Sequence, residues 1–436
     1  MNVVIVGNGI TGITAALRLR RRQPGWRITV VSGESDYHYS RPALMYIFMG
    51  HVRYEDTKPY EDRFWKKNNI DLMRAWVTEI DVANKRLLFA GQTQPLSYDK
   101  LLIATGSESN KFGWPGQDMN GVQGLYGLQD LELLYKNVRG VREAVIVGGG
   151  LIGIELAEML HSRNVHVTFL VRETSFWNVV IPDEEARMIN AAIEREGLGL
   201  VLSTELKEIV DDGTGRVTGV IDNAGRRINC QFAGLTVGVH PNASLAGSSG
   251  IPTGRGVLVD RSLRAGVPDV YAAGDCAEIV TGEERNLVQQ VWYTGRMQGL
   301  VVADVMAGEE RIYEPGIWFN SAKFLDTEYQ VYGAVGRDLP GEENLFWRDA
   351  AGRRSIRIVY GDQGVFGFNL LGVRFRHEVC ERWIEEKRSL DYVLDHLGEA
   401  NFDPEFFERV EREAVLAFRR QALDAKDGSA GVEGRA

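Results

Sequence analysis

Two glycine-rich turns constrain this chain more than any other feature. One reads Gly7-Asn8-Gly9-Ile10-Thr11-Gly12, the other Gly148-Gly149-Gly150-Leu151-Ile152-Gly153. Each follows a short apolar run, Val3 to Val6 or Ala144 to Val147, and each opens a stretch with helical periodicity. One such turn alone is weak evidence. Two copies, each with the strand and helix it needs, point to two βαβ units and two dinucleotide sites. In each turn the first glycine permits the tight bend. The second lets a pyrophosphate approach the backbone, and the third lets the helix pack on the strand. The helix N-terminus adds unpaired N–H groups and a partial positive charge. Gly7, Gly9 and Gly12 are thus the candidate binding residues of the first turn, and Gly148, Gly150 and Gly153 those of the second.

At 436 residues the chain has room for two or three domains. Its net charge of -10, with both signs interspersed, argues against nucleic acid as a main partner. No stretch reaches the apolar length of a membrane span. With the first strand beginning at Asn2, no signal peptide is expected. The cysteines are Cys230, Cys276 and Cys380, with no C-x-x-C among them. Neither a disulfide framework nor a zinc site is expected, and a reducing cytoplasm is the expected compartment. The seven histidines are scattered without metal-ligand spacing, so no metal site is expected.

The first unit reads strand, turn, helix (13–22) and strand (27–31), and its helix stops before Pro24. Short alternating strands are expected between Ile70 and Phe89, and a buried strand at 98–106 ends in Thr105-Gly106. Gly113-Trp114-Pro115-Gly116 reads as a loop and a domain crossing. The second unit has its helix at 151–162 and its next strand at 166–171. Hairpin-like strands follow between 200 and 230, turning at Asp212-Gly213 and Asn223-Ala224-Gly225. A buried strand ends in Gly274-Asp275, and a helix is expected over 288–306. From about Tyr313 the texture becomes aromatic and β-rich, followed by helices near 376–386 and 390–397. The small, polar residues 427–436 read as a disordered tail.

The ribose of a nucleotide held by the first turn calls for a carboxylate about 20 residues on. Glu34 is the candidate and Asp36 the runner-up. Asp275, at the mouth of a buried strand, can accept hydrogen bonds from a ribityl hydroxyl. Taken alone, Gly274-Asp275 reads first as a simple turn; with the N-terminal glycine turn it points to FAD.

Three motifs carry a family resemblance: Val4-Ile5-Val6-Gly7-Asn8-Gly9-Ile10-Thr11-Gly12, Leu102-Ile103-Ala104-Thr105-Gly106-Ser107, and Val270-Tyr271-Ala272-Ala273-Gly274-Asp275-Cys276. With Gly238-Val239-His240-Pro241-Asn242, they make the chain resemble the two-dinucleotide-binding-domain flavoproteins. These include NADH:rubredoxin reductases, bacterial ferredoxin reductases, flavin subunits of nitrite reductase, apoptosis-inducing factor and NADH oxidases. The resemblance covers about residues 1–310 and is looser beyond, where Phe324-Leu325-Asp326 through Tyr332-Gly333 looks like the start of a C-terminal interface domain. It implies FAD contacts at Gly7, Gly9, Gly12, Glu34, Arg41, Thr105, Gly106, Gly274 and Asp275. Arg41-Pro42 matches a Tyr-x-Arg-Pro segment beside the isoalloxazine. A cation there would stabilise an anionic reduced flavin, so Arg41 is also a candidate catalytic residue. Trp292 and Tyr293 fall where the family places a helix N-terminus by the flavin; ordinary core aromatics are the alternative reading.

The second turn is expected to hold NADH or NADPH. By the resemblance, Glu155 lies near the nicotinamide–flavin contact and is the second catalytic candidate; a helix-capping role is the alternative. NADH enzymes usually carry an acid at the end of the next strand. Here Val171 stands at that place and Arg172 follows, then Glu173. Arginine suits a 2′-phosphate, so the reading leans to NADPH without excluding NADH.

The expected architecture is α/β: two Rossmann-like domains, for FAD and NAD(P), and a C-terminal α+β interface domain. Residues 1–115 and 240–312 are assigned to FAD, 116–239 to NAD(P) and 313–426 to the interface domain. No cysteine lies between Met1 and Cys230, which leaves no redox thiol beside the flavin. The lysine that several ferredoxin-type relatives carry after Arg-Pro is replaced by Leu44-Met45-Tyr46. Electrons are therefore expected to leave the chain. An iron–sulfur or rubredoxin-type protein is the first choice of acceptor. The alternatives are reduction of a quinone or small molecule, an FAD subunit of a larger complex without nicotinamide as donor, and a redox-responsive interaction protein. The C-terminal domain suits a homodimer or a hetero-complex.

Overall fold

The apolar run Asn-Val-Val-Ile-Val forms strand β1 (Asn2–Val6), whose last four residues are buried. Gly9 caps helix α1 (Ile10–Arg22), which buries Ile13, Ala15, Ala16 and Leu19 on one face and ends in Arg20, Arg21 and Arg22, cations that suit the C-terminal end of the helix dipole. Strand β2 (Arg27–Ser32) then pairs parallel to β1, with Val6 opposite Val31. The computed structural model describes residues 1–91, 93–336, 341–402 and 409–430, with side chains in the last helix to residue 423.

By packing, the chain divides into two compact units. The first comprises residues 1–148, 156–167 and 206–315; the second comprises 149–155, 168–205 and 316–436.

In the first unit, a five-stranded sheet runs in the order Val270–Ala272, Lys100–Ile103, β1, β2, Ile70–Arg74, and every pairing is parallel. The chain crosses over on either side of β1, so the crevice outside the carboxyl ends of β1 and Lys100–Ile103 is a topological switch point, where α/β sheets bind ligands. Glu143–Val147, which leads into the second glycine turn, pairs parallel with Phe232–Leu235. The strands expected between 200 and 230 form an antiparallel meander of Leu206–Asp211, Val217–Asp222 and Arg227–Asn229. The helix expected from Val288 begins at Trp292 and runs to Met306. Before it, Leu287 bridges to Ile279, which holds this approach outside the helix.

In the second unit, Thr168 to Leu170 pair parallel with Gly199–Val201. The aromatic C-terminal segment forms an antiparallel sheet in the order Phe319–Phe324, Thr327–Gly333, Gly364–Leu371, Ser355–Gly361, Glu343–Arg348. Helices His377–Glu385, Leu390–His396 and Glu411–Ala430 follow. Phe368, Phe375, Trp383 and Phe418 share one core with this sheet. The last helix has no counterpart in the sequence reading, and it runs to Ala430, into the segment expected to be a tail; residues 431–436 lie outside the described residues. A buried polar knot joins helix Asp183–Arg195 to this sheet. Arg357 forks onto Glu185 at 2.8 and 2.9 Å, and Asn369 donates to the same carboxylate at 3.0 Å. Among the described residues, no helix is long and apolar enough to cross a membrane.

Candidate functional site

The first glycine turn has the shape a pyrophosphate needs. Gly7 adopts φ +114°, and a Cβ there would run into the Ala104 carbonyl oxygen of the neighbouring strand. At Gly9 a Cβ would meet nothing within 4 Å, so the face of the turn at the α1 N-terminus is open. These two facts fit the site to a dinucleotide: closed against the sheet on one side and open at a helix N-terminus on the other.

Beyond β2, Glu34 collects four donors. Arg41 forks onto it, Nη2 to Oε2 at 2.6 Å and Nη1 to Oε1 at 2.9 Å. The Tyr39 hydroxyl donates to Oε1 at 2.5 Å, and the Leu128 N–H reaches the same oxygen at 3.0 Å. Burial pushes the Glu34 carboxyl up, but the Arg41 charge and these hydrogen bonds outweigh it and hold the group below the usual carboxylate range. The structure thus brings together Glu34 and Arg41, which the sequence assigns to different parts of FAD. Arg41 also donates to the Tyr126 carbonyl at 2.7 Å and lies 4.5 Å from the centre of the Tyr126 ring. His38, beside them, is buried with Nδ1 at 2.8 Å from the Asn8 carbonyl. Because that carbonyl can only accept, Nδ1 carries the hydrogen.

On the other side of β1, Thr105 and Gly106 are tied to the returning chain. The Thr105 hydroxyl donates to the Asn242 carbonyl at 2.6 Å, and the Asn242 N–H returns to the Gly106 carbonyl at 2.9 Å. The Gly274 N–H donates to the buried Gln298 side chain at 2.7 Å. Asp275 accepts at Oδ2 from Ser107 Oγ at 3.0 Å and from the Tyr126 hydroxyl at 3.3 Å. Burial raises its pKa against these hydrogen bonds and the Arg41 charge. Trp292 stands exposed as the first residue of helix Trp292–Met306 and meets Tyr293 edge-on.

In the second unit, Gly150 is as open as Gly9, and the Ile154 N–H closes the first helical bond onto its carbonyl at 3.1 Å. This turn therefore also fits a dinucleotide. Glu155 is half-buried in the helix Leu151–His161. Val171 is buried against Gly149, where a Cβ would come within 2.8 Å of it. Arg172 projects into solvent, 71% exposed, and pairs through Nε with Glu173 Oε1 at 2.7 Å. Arg172 thus presents an exposed cation one residue after the place where a ribose-binding acid is usual.

All three cysteines are free thiols buried in the core. Burial pushes Cys230 up to about 12 and raises Cys276 and Cys380 as well. Such thiols are neither accessible nor ionised, so they are poor nucleophiles.

Residues 1–299 match the pyridine nucleotide-disulphide oxidoreductase family. The chain belongs to that family. It is a flavin- and pyridine-nucleotide-dependent oxidoreductase. It is 30% identical to the biphenyl dioxygenase system ferredoxin–NAD(+) reductase component of Paraburkholderia xenovorans, over 70% of this chain and 75% of that one. It is 29% identical to the nitrite reductase [NAD(P)H] of Bacillus subtilis over 76% of this chain, but spans only 40% of that protein. The fold is that of the NAD-dependent persulfide reductase from A. fulgidus, with TM-score 0.84, 23% identity, and coverage of 98% of this chain and 84% of that one. This family member has no accessible thiol of its own for the disulphide chemistry in the family's name.

The sequence points to Glu34, Arg41 and Asp275 but not to Tyr126 and Leu128, which contact them, nor to Gln298, which accepts from the Gly274 N–H. A polar residue near Thr105-Gly106 or ahead of a helix is too common to be singled out without the fold.

Proposed function

We propose that the chain passes electrons from NADH or NADPH through FAD to an external redox protein of ferredoxin or rubredoxin type. The observation that carries this reading is the pairing of a dinucleotide crevice ready for FAD with three thiols sealed in the core. When bound, FAD supplies two-electron acceptance from a hydride and one-electron release, the combination an iron–sulfur or rubredoxin-type acceptor needs.

The chain's own residues do the rest. The open α1 N-terminus at Gly7, Gly9 and Gly12 would hold the pyrophosphate. Glu34, fixed by Arg41, would accept from the adenosine ribose. Thr105, Gly106, Gly274 and Asp275 would line the ribityl end, and Asp275 would accept a hydroxyl there. Trp292 would flank the flavin. Gly148, Gly150 and Gly153 would take the nicotinamide dinucleotide, with Arg172 placed to favour a 2′-phosphate and Glu155 beside the nicotinamide. Arg41 and Glu155 remain the proposed catalytic residues. The domain assignments 1–115 with 240–312, 116–239 and 313–426 belong to the same proposal. So do a reducing cytoplasm, consistent with three free thiols, and assembly through the C-terminal domain.

One observation favours a second reading, an FAD electron-transfer subunit of a larger redox complex: the chain spans only 40% of the nitrite reductase it resembles. The deciding experiment is reoxidation of the NAD(P)H-reduced protein. Reoxidation by a ferredoxin or rubredoxin at the rate of steady-state turnover supports a free-standing reductase. Reoxidation only by a quinone or other small molecule overturns the protein-acceptor reading.

A further inference from the structure

Tyr126 lies in the segment between Val122–Gln123 and helix Leu128–Asn137, a stretch assigned from sequence to the nicotinamide domain. In the first unit it reaches into the crevice instead. Its hydroxyl accepts from the Ser107 N–H at 2.9 Å and donates to Asp275 Oδ2 at 3.3 Å. The Ser107 hydroxyl accepts from Gln290 Nε2 at 2.7 Å and donates to the same Oδ2 at 3.0 Å.

These directions are fixed by chemistry. An N–H can only donate, so each hydroxyl accepts on that side and has its single hydrogen left for Asp275. Both hydrogens converge on one carboxylate oxygen and favour its ionised form against the burial that disfavours it. The Tyr126 ring and carbonyl meanwhile receive Arg41, the partner of Glu34. Gly106 leaves the hydroxyl its room: a Cβ there would lie 2.7 Å from Tyr126 Oη. One side chain therefore touches both carboxylate arms of the crevice.

We propose that Tyr126 is a positioning residue for FAD: its hydroxyl aims Asp275, and its ring and carbonyl aim the Arg41–Glu34 pair, so that the two acidic contacts act together. This rests on the reading that the crevice holds FAD. Ser107 and Gln290 belong to the Asp275 arm of the same device.

The test is FAD affinity, read as quenching of FAD fluorescence when flavin-stripped protein is titrated in. Tyr126→Phe keeps the ring and removes only the hydroxyl. It is expected to weaken FAD binding about tenfold, the scale of a lost hydrogen bond to a charged group. In an Asp275→Asn background the same change should cost less than about twofold, because the charged acceptor it aims has become a neutral amide. A merely loosened fold would cost as much in either background. Tyr126→Leu, which also removes the surface beneath Arg41, should weaken binding further and should do so in both backgrounds. Tyr126→Phe binding within about twofold of wild type, or losing as much affinity in the Asp275→Asn background as in the wild-type one, overturns the proposal. A wild-type protein that does not quench FAD overturns the FAD reading itself, a separate and distinguishable failure.

Discussion

Arg41 closes on Glu34 through two parallel hydrogen bonds, Nη2–Oε2 at 2.6 Å and Nη1–Oε1 at 2.9 Å. The fork aims the carboxylate, so in the proposed FAD site Arg41 would act first as the holder of Glu34, the proposed ribose contact. A lysine keeps the charge but cannot reproduce the fork. Arg41→Lys is expected to release FAD about tenfold faster, measured as recovery of free flavin fluorescence after dilution. Release at the wild-type rate would show that charge alone suffices at this position.

The two glycines of the first turn should fail in different ways. Gly7 has φ +114° and the Ala104 carbonyl where a Cβ would go, so Gly7→Ala is expected to cost the fold about 1–3 kcal/mol and lower its thermal midpoint. Gly9 has open space around it, so Gly9→Asp should fold. Its carboxylate would then sit where a phosphate is expected, and the variant should purify without flavin colour. A yellow, stable Gly9→Asp protein would remove the first site.

Nucleotide choice is tested at Arg172. Its side chain is mostly in solvent and pairs with its chain neighbour Glu173, so removing it should leave the fold intact. Arg172→Ala is expected to raise KM for NADPH about tenfold and KM for NADH less than about twofold, the loss of a charge-assisted contact to a 2′-phosphate. Equal changes in steady-state kinetics would remove the preference for NADPH.

Acid stability should depend on His38. Burial, the largest influence, lowers its pKa; the Asn8 hydrogen bond and Glu34 act in the opposite sense, and Arg41 in the same sense as burial. The unfolded chain therefore takes up this proton first as the pH falls. The contribution of His38 to stability is complete above its unfolded pKa, about 6.5, and is lost as the pH falls towards the lower folded value. His38→Gln has no proton to gain, and its amide can still donate to Asn8. Its thermal midpoint should fall less than wild type between about pH 7.5 and about pH 5.5. Parallel declines would place the acid sensitivity elsewhere.

Local signals in the sequence are legible because the backbone enforces them. The glycine turns, the strands that feed them and the Gly274-Asp275 turn are set by neighbours in the chain. Tyr126 is not legible, because its role comes from being carried across an expected domain boundary to meet Ser107, Arg41 and Asp275. Arg357, Glu185 and Asn369 are hidden for the same reason: three polar residues far apart in sequence make one buried knot only after the sheet and helix have packed. The helix Glu411–Ala430 escapes a sequence reading because the small, polar residues near its end read as a tail. The start of the helix at Trp292 is misplaced from sequence because apolar periodicity continues through an extended approach.

The central claim is that this chain takes electrons from a nicotinamide nucleotide onto bound FAD. The most direct test is anaerobic rapid mixing of the FAD-loaded protein with NADPH and, separately, NADH, followed by visible flavin absorbance. The account predicts that at least one of them bleaches the flavin at least as fast as the protein turns over. A flavin that stays oxidised with both nucleotides on that time scale would contradict it.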